Sequence, residues 1–115
     1  MDDHKHINLS FLKEITGGDD AKLVKYIRLF LEEAPQHLGR IKLNLDNKDW
    51  PAVKRSVHAF KPQLRYMGIV EIEPLIKRIE YFSDTEKGTE RIHQLYDQMN
   101  GICQIAFSEL EDMIR

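Results

Sequence analysis

Between Leu23 and Leu45 the apolar residues Leu23, Val24, Ile27, Phe30, Leu31, Ala34, Leu38, Ile41 and Leu45 recur at steps of one, three and four. That spacing keeps a single apolar stripe along about six turns of a helix, a face that has to be buried against something. Elsewhere no stretch alternates apolar and polar residues in the two-residue rhythm of a half-buried strand. The chain is therefore constrained to helices packed on helices.

Punctuation along the sequence divides it further. Residues 1 to 6 are expected to be a loose tail, followed by a short helix from about Leu9 to Thr16 that Gly17-Gly18 closes. Asp19 or Asp20 caps the striped helix, which should run to about Asp46 with a kink at Pro35, where a backbone donor is missing. Asp49 reads as the N-cap of a third helix, with Pro51 in its first turn and Gly68 at its end. A fourth helix carries Ile72, Leu75, Ile76, Ile79 and Phe82 and should stop at the polar stretch Ser83 to Gly88; a fifth carries Ile92, Leu95, Met99, Ile102, Ala106, Leu110 and Met113. The expected fold is all-α, an antiparallel up-and-down four-helix bundle with a short extra N-terminal helix, in one domain over residues 1–115.

Composition excludes several function classes. The longest apolar runs are far shorter than the roughly 20 residues a membrane-spanning helix needs, so a membrane role is not expected. A single cysteine, Cys103, permits no internal disulfide and suits a reducing, cytoplasmic setting. The formal net charge of −2 argues against nucleic acid, whose binding is driven by phosphate neutralisation. That average hides an asymmetry, because Trp50 to Gly68 contains Lys54, Arg55, Lys61 and Arg65 and no acid, leaving −6 for the remainder.

On a helical wheel of the third helix with Val57 at the origin, Trp50, Val53, Phe60, Leu64 and Met67 gather on one side, within about 80°. His58 lies about 100° away, near Lys54, Lys61 and Arg65. The helix itself offers no acids three or four residues away to pair with these cations. Positive neighbours disfavour the imidazolium, which would lower the histidine below its ordinary value of about 6.5 and leave a ring nitrogen free as a nucleophile. The same cations would stabilise a dianion attached to that nitrogen. Against this stands the plainer reading, a solvated and inert surface histidine.

The string His58-Ala59-Phe60-Lys61-Pro62-Gln63-Leu64-Arg65-Tyr66-Met67-Gly68 decides between them. It resembles the signature of histidine-containing phosphotransfer (HPt) domains: His, an apolar residue at +2, Lys at +3, a small residue at +4 and Gly at +10. The run Leu29-Phe30-Leu31-Glu32-Glu33-Ala34-Pro35 is similar to that family's long second helix, and Asn47-Lys48-Asp49-Trp50 to the turn before its histidine helix, so the resemblance spans about Ile7 to Ile114. It implies that His58 is the phosphorylated residue, Lys61 the cation on the phosphoryl oxygens and Gly68 a close-packed helix end, with Lys54 and Arg65 in support. The sequence departs from the pattern at Pro62, where glycine is usual, and Pro62 should bend the helix and free the His58 carbonyl. Gln63, on the far side of the wheel, has no assigned role.

The chain lacks a glycine-rich phosphate loop and a nucleotide-binding signature, so phosphate has to come from a partner. The resemblance implies response-regulator receiver domains and hybrid sensor histidine kinases as partners, no cofactor on this chain and Mg²⁺ on the receiver; the starting methionine and the closed helix count lead to the expectation of a free-standing carrier, a monomer. A non-catalytic helical module that holds receivers or other proteins is the alternative; the dimerisation hairpin of a histidine kinase fits four helices poorly. A receiver would need an apolar surface beside the basic strip, for which Tyr26, His37 and Leu43 are candidates, Tyr26 also reading as a half-buried aromatic. His4 and His6 read as tail residues, His37 and His93 as lone surface histidines, Cys103 as a buried small apolar residue, and Met67, Met99 and Met113 as core filler.

Overall fold

The computed structural model describes residues 6–115, and the tail reading of residues 1–5, with His4 of the His4–His6 pair, lies outside them. Five α-helices follow in order: α1 (Ser10–Ile15), α2 (Asp20–Asp46), α3 (Trp50–Tyr66), α4 (Glu73–Thr85) and α5 (Ile92–Met113). Short 3-10 turns over Val70–Ile72 and Thr89–Arg91 lead into α4 and α5. Among the described residues there is no strand.

The caps follow from residue chemistry. Asp19 accepts a hydrogen bond from the Lys22 amide and starts α2, and Asp49 accepts one from the Ala52 amide and starts α3. Gly17 and Gly18 adopt positive φ at the turn that separates α1 from α2. Contrary to the expectation of a break at Ser83, α4 continues to Thr85, because Ser83 faces inward and is buried with the helix's apolar side. Pro35 and Pro62 lie inside α2 and α3, and both helices carry on through them. The bundle packs the apolar stripe on either side of each proline, and that burial outweighs the one backbone bond each removes.

Side-chain contacts give the helix directions. Gln63 meets His37 and Ser56 meets Asn44, so α3 runs against α2. Arg65 meets Glu73, Lys61 meets Glu80 and Lys54 meets Asp84, so α4 runs against α3. Phe30 meets Phe107 while the Tyr96 hydroxyl donates to the Leu38 carbonyl at 2.9 Å, so α5 runs against α2. These directions make an up-and-down bundle with α1 laid across one end.

Its core is a continuous cluster built from every helix, with Phe30, Ile41, Val53, Val57, Phe60, Ile76, Ile79, Met99, Cys103 and Leu110 among its members. Burial pushes the Cys103 thiol up to about 12, which makes it a core residue with no nucleophilic character. Met67 and Met99 are buried as expected, whereas Met113, at the last turn of α5, is exposed.

The N-terminal approach is tied down where a loose segment was expected. The His6 amide donates to a Glu109 carboxylate oxygen at 3.1 Å and its ring Nδ1 lies 2.5 Å from Glu71 Oε1. One residue pair further on, the Asn8 amide donates to the Met67 carbonyl at 3.1 Å. Gly68 makes this approach possible, for its φ is +66° and a Cβ there would fall 2.1 Å from the Asn8 carbonyl oxygen. Gly68→Ala is expected to cost at least about 2 kcal/mol and to lower the melting temperature by roughly 5–10 °C. An unchanged thermal transition by circular dichroism would contradict this placement.

Candidate functional site

The rotation of α3 is fixed by the side chains it buries. Val53, Val57 and Phe60 are fully enclosed and Leu64 nearly so. With that face sealed, His58 has to point away from the core, and its side chain is 73% exposed. The wheel reading of His58 as an outward-facing imidazole holds.

The reading of its electrostatic surroundings does not. Each of three cations expected to form an unopposed basic strip is met by an acid from α4: Lys54 Nζ lies 2.8 Å from Asp84, Lys61 Nζ 3.0 Å from Glu80, and Arg65 Nε 3.3 Å from Glu73. Among the described residues only Arg55, of the four cations on α3, makes no ion pair. These acids belong to a different helix, so spacing within α3 does not reveal them. A signal did exist, since the cations at 54, 61 and 65 and the acids at 73, 80 and 84 each follow steps of seven and four, which put each set on one helix face.

Lys61 makes the middle pair of the three. It is half-buried, with 18% of its side chain exposed against 20% for Glu80, making this the most enclosed pair among the described residues. Glu80 reaches His58 too, its Oε2 standing 3.9 Å from the ring Nδ1. That distance is too long for a hydrogen bond, so Nδ1 faces the carboxylate without a directed contact. The other ring nitrogen, Nε2, takes no hydrogen bond or ion pair from a described residue.

His58 opens onto a cleft of about 490 Å³ between α3 and α4, lined by Pro51, Lys54, Arg55, Ser83, Asp84 and Glu86. Pro62 and Ala59 flank it on the exposed ridge of α3. Pro62 has no N–H for the His58 carbonyl and little bulk to cover the ring. Further along the ridge Tyr66 stacks on Phe11 of α1 at 5.6 Å between centroids. That pair borders a more apolar groove of about 370 Å³ between α1, α2 and α3, lined by Leu12, Ile15, Tyr26, Leu29, Phe30, Gln63 and Met67. Of the docking candidates named from sequence, Tyr26 is in this groove and exposed, not half-buried; Leu43 is exposed elsewhere on α2, and neither lines the His58 cleft.

His37 is not a lone surface histidine. Its ring stacks on Phe60 at 5.1 Å between centroids, and Gln63 Nε2 lies 2.8 Å from His37 Nε2. An amide nitrogen can only donate, so the ring nitrogen accepts, and this gives Gln63 the role the sequence left open: it closes the seam between α2 and α3. Burial lowers the His37 pKa below its ordinary value, Arg40 lowers it further, and Glu33 pulls the other way. His93 is exposed, as expected. Among the described residues no three His, Cys, Asp or Glu side chains converge to hold a metal ion, and no helix is long and apolar enough to cross a membrane.

The bundle thus displays the imidazole of His58 on an outer ridge of α3, with Lys61 one turn on. A family model for the Hpt domain matches residues 25–114, and the chain belongs to that family, whose members serve histidine phosphotransfer in phosphorelays. No curated protein and no solved structure matches the chain significantly.

The His37 seam has a consequence for stability. Because the folded state binds its proton less readily than the unfolded chain, stability rises with pH through the range just below the unfolded value of about 6.5. Acidifying from pH 7.5 to 5.5 is expected to lower the melting temperature of the wild type more than that of His37→Gln. Equal pH dependence in the two proteins would contradict the neutral, seam-closing assignment.

Proposed function

We propose that His58 is the phosphoryl acceptor of a phosphorelay carrier, taking the group from a receiver-domain phospho-aspartate and passing it to another receiver. The observation that carries this reading is the ring of His58, 73% exposed on the outer face of α3 with Nδ1 on the side of Glu80. In the transfer, the Nε2 lone pair attacks phosphorus in line. The N–P bond forms as the acyl O–P bond breaks, and the electron pair returns to the aspartate carboxylate. Mg²⁺ is supplied with the receiver.

The supporting groups divide by distance from the ring. Lys61, one turn on and partly enclosed, can turn toward a phosphoryl group, and Arg55 adds a cation without an ion-pair partner on the exposed side. Lys54 and Arg65 are committed to Asp84 and Glu73, so they contribute field more than contact. Pro62 keeps the approach low over the ring. Gly68 acts through the fold, holding the N-terminal segment against the end of α3. The groove lined by Ile15, Tyr26 and Leu29, two turns along the same ridge, offers a receiver the apolar contact a docking surface needs.

A non-catalytic module that merely holds receivers predicts binding that survives loss of the imidazole and no covalent label. Incubation with a phosphorylated receiver and Mg²⁺ is expected to give an acid-labile, alkali-stable label on the wild type and none on His58→Ala. Lys61→Ala is expected to slow labelling by roughly tenfold or more, with some loss of stability because the side chain is half-buried. A wild type that stays unlabelled with several receivers, or a His58→Ala protein that still labels, would overturn the assignment.

A further inference from the structure

Lys61 has two claimants. Its ammonium already faces Glu80 across the α3–α4 seam at 3.0 Å, in a pair with only about a fifth of either side chain exposed. Glu80 Oε1 is buried, and the Lys61 ammonium is the cation that balances its charge. The other oxygen of the same carboxylate stands 3.9 Å from Nδ1 of His58. One carboxylate thus lies between the nucleophilic ring and the cation that would steady its cargo.

We propose that Glu80 competes with the phosphoryl group for Lys61 and thereby keeps phosphorylated His58 poised to give its phosphate away, so that this chain passes phosphate on and does not store it. The proposal rests on the reading of His58 as the acceptor. Phosphorylation at Nε2 converts a neutral ring into a group of charge −1 while Nδ1, which faces Glu80, keeps the ring's one N–H proton, and of charge −2 once that proton passes to solvent. In either state net negative charge appears within a side chain's width of the Glu80 carboxylate. Lys61 can swing toward the new phosphoryl oxygens only by loosening its hold on Glu80, and a partly buried carboxylate left without its counter-charge is costly. The remaining charges on the two helices do not remove this conflict. Lys54 and Arg65 are engaged by Asp84 and Glu73, which leaves Arg55 as the single cation of α3 without a partner among the described residues.

The experiment is the equilibrium partition of phosphate between this protein and a receiver domain with Mg²⁺, mixed at equal concentrations and read from the label on each. Glu80→Gln keeps the shape of the side chain and removes its charge. It is expected to move the partition toward phosphohistidine by roughly fivefold or more. The shift should shrink severalfold when Lys61→Met is present in both proteins compared, because only the direct repulsion between Glu80 and the phosphoryl group is then left. Glu80→Asp, which draws the carboxylate back by one methylene, should shift the partition the same way by less, and serves as the test if the glutamine variant folds poorly. An unchanged or reversed partition in these variants, or a shift that persists undiminished without Lys61, would overturn the proposal while leaving the relay reading intact. Absence of label on wild-type His58 would overturn both.

Discussion

The rotation of one helix governs everything the molecule presents to a partner. Val53, Val57, Phe60 and Leu64 are locked into the core, and Phe60 lies between Phe30 and His37 of α2 at 6.5 Å and 5.1 Å between ring centroids. Removing such a ring from a core typically costs about 3–5 kcal/mol, a large share of the stability of a small domain. Turning α3 to hide His58 would sacrifice that packing. The exposure of the imidazole is therefore enforced by the burial opposite it.

The second determinant is the antiparallel α3–α4 seam. It sets the acids of α4 against the cations of α3 in three pairs, of which the two more exposed, Lys54–Asp84 and Arg65–Glu73, contribute little stability, about 0–1 kcal/mol each. Their larger effect is on charge around the ring. Without them α3 would carry an unbalanced basic strip; with them the ring sits beside a carboxylate, a partly enclosed lysine and one arginine without an ion-pair partner. That balance suits a group that has to accept phosphate and then release it. Field from a wholly basic strip would favour acceptance alone.

Much of the fold was legible in the sequence because its signals are local. The apolar stripe from Leu23 to Leu45, the capping aspartates Asp19 and Asp49, and the glycines at 17, 18 and 68 each specify structure within a few residues, and the helices fall where these signals put them. His58 was legible for the same reason, since its position on the wheel depends only on α3. The misplaced features depend on contacts between elements. Lys61 is half-buried because Glu80 covers it, His37 is half-buried because Gln63 and Phe60 reach across from α3, and His6 is docked because Glu71 and Glu109 meet it. Ser83 reads as a loop residue until the helix that carries it is packed.

The central claim is that His58 offers Nε2 outward while Nδ1 faces Glu80. Nitrogen-15 spectroscopy of the labelled imidazoles in the phosphorylated protein tests it most directly. A phosphorus–nitrogen coupling on Nε2 of His58, and on no other histidine nitrogen, is the result this account predicts. Coupling on Nδ1 of His58, or on the ring of His6, His37 or His93, would contradict it.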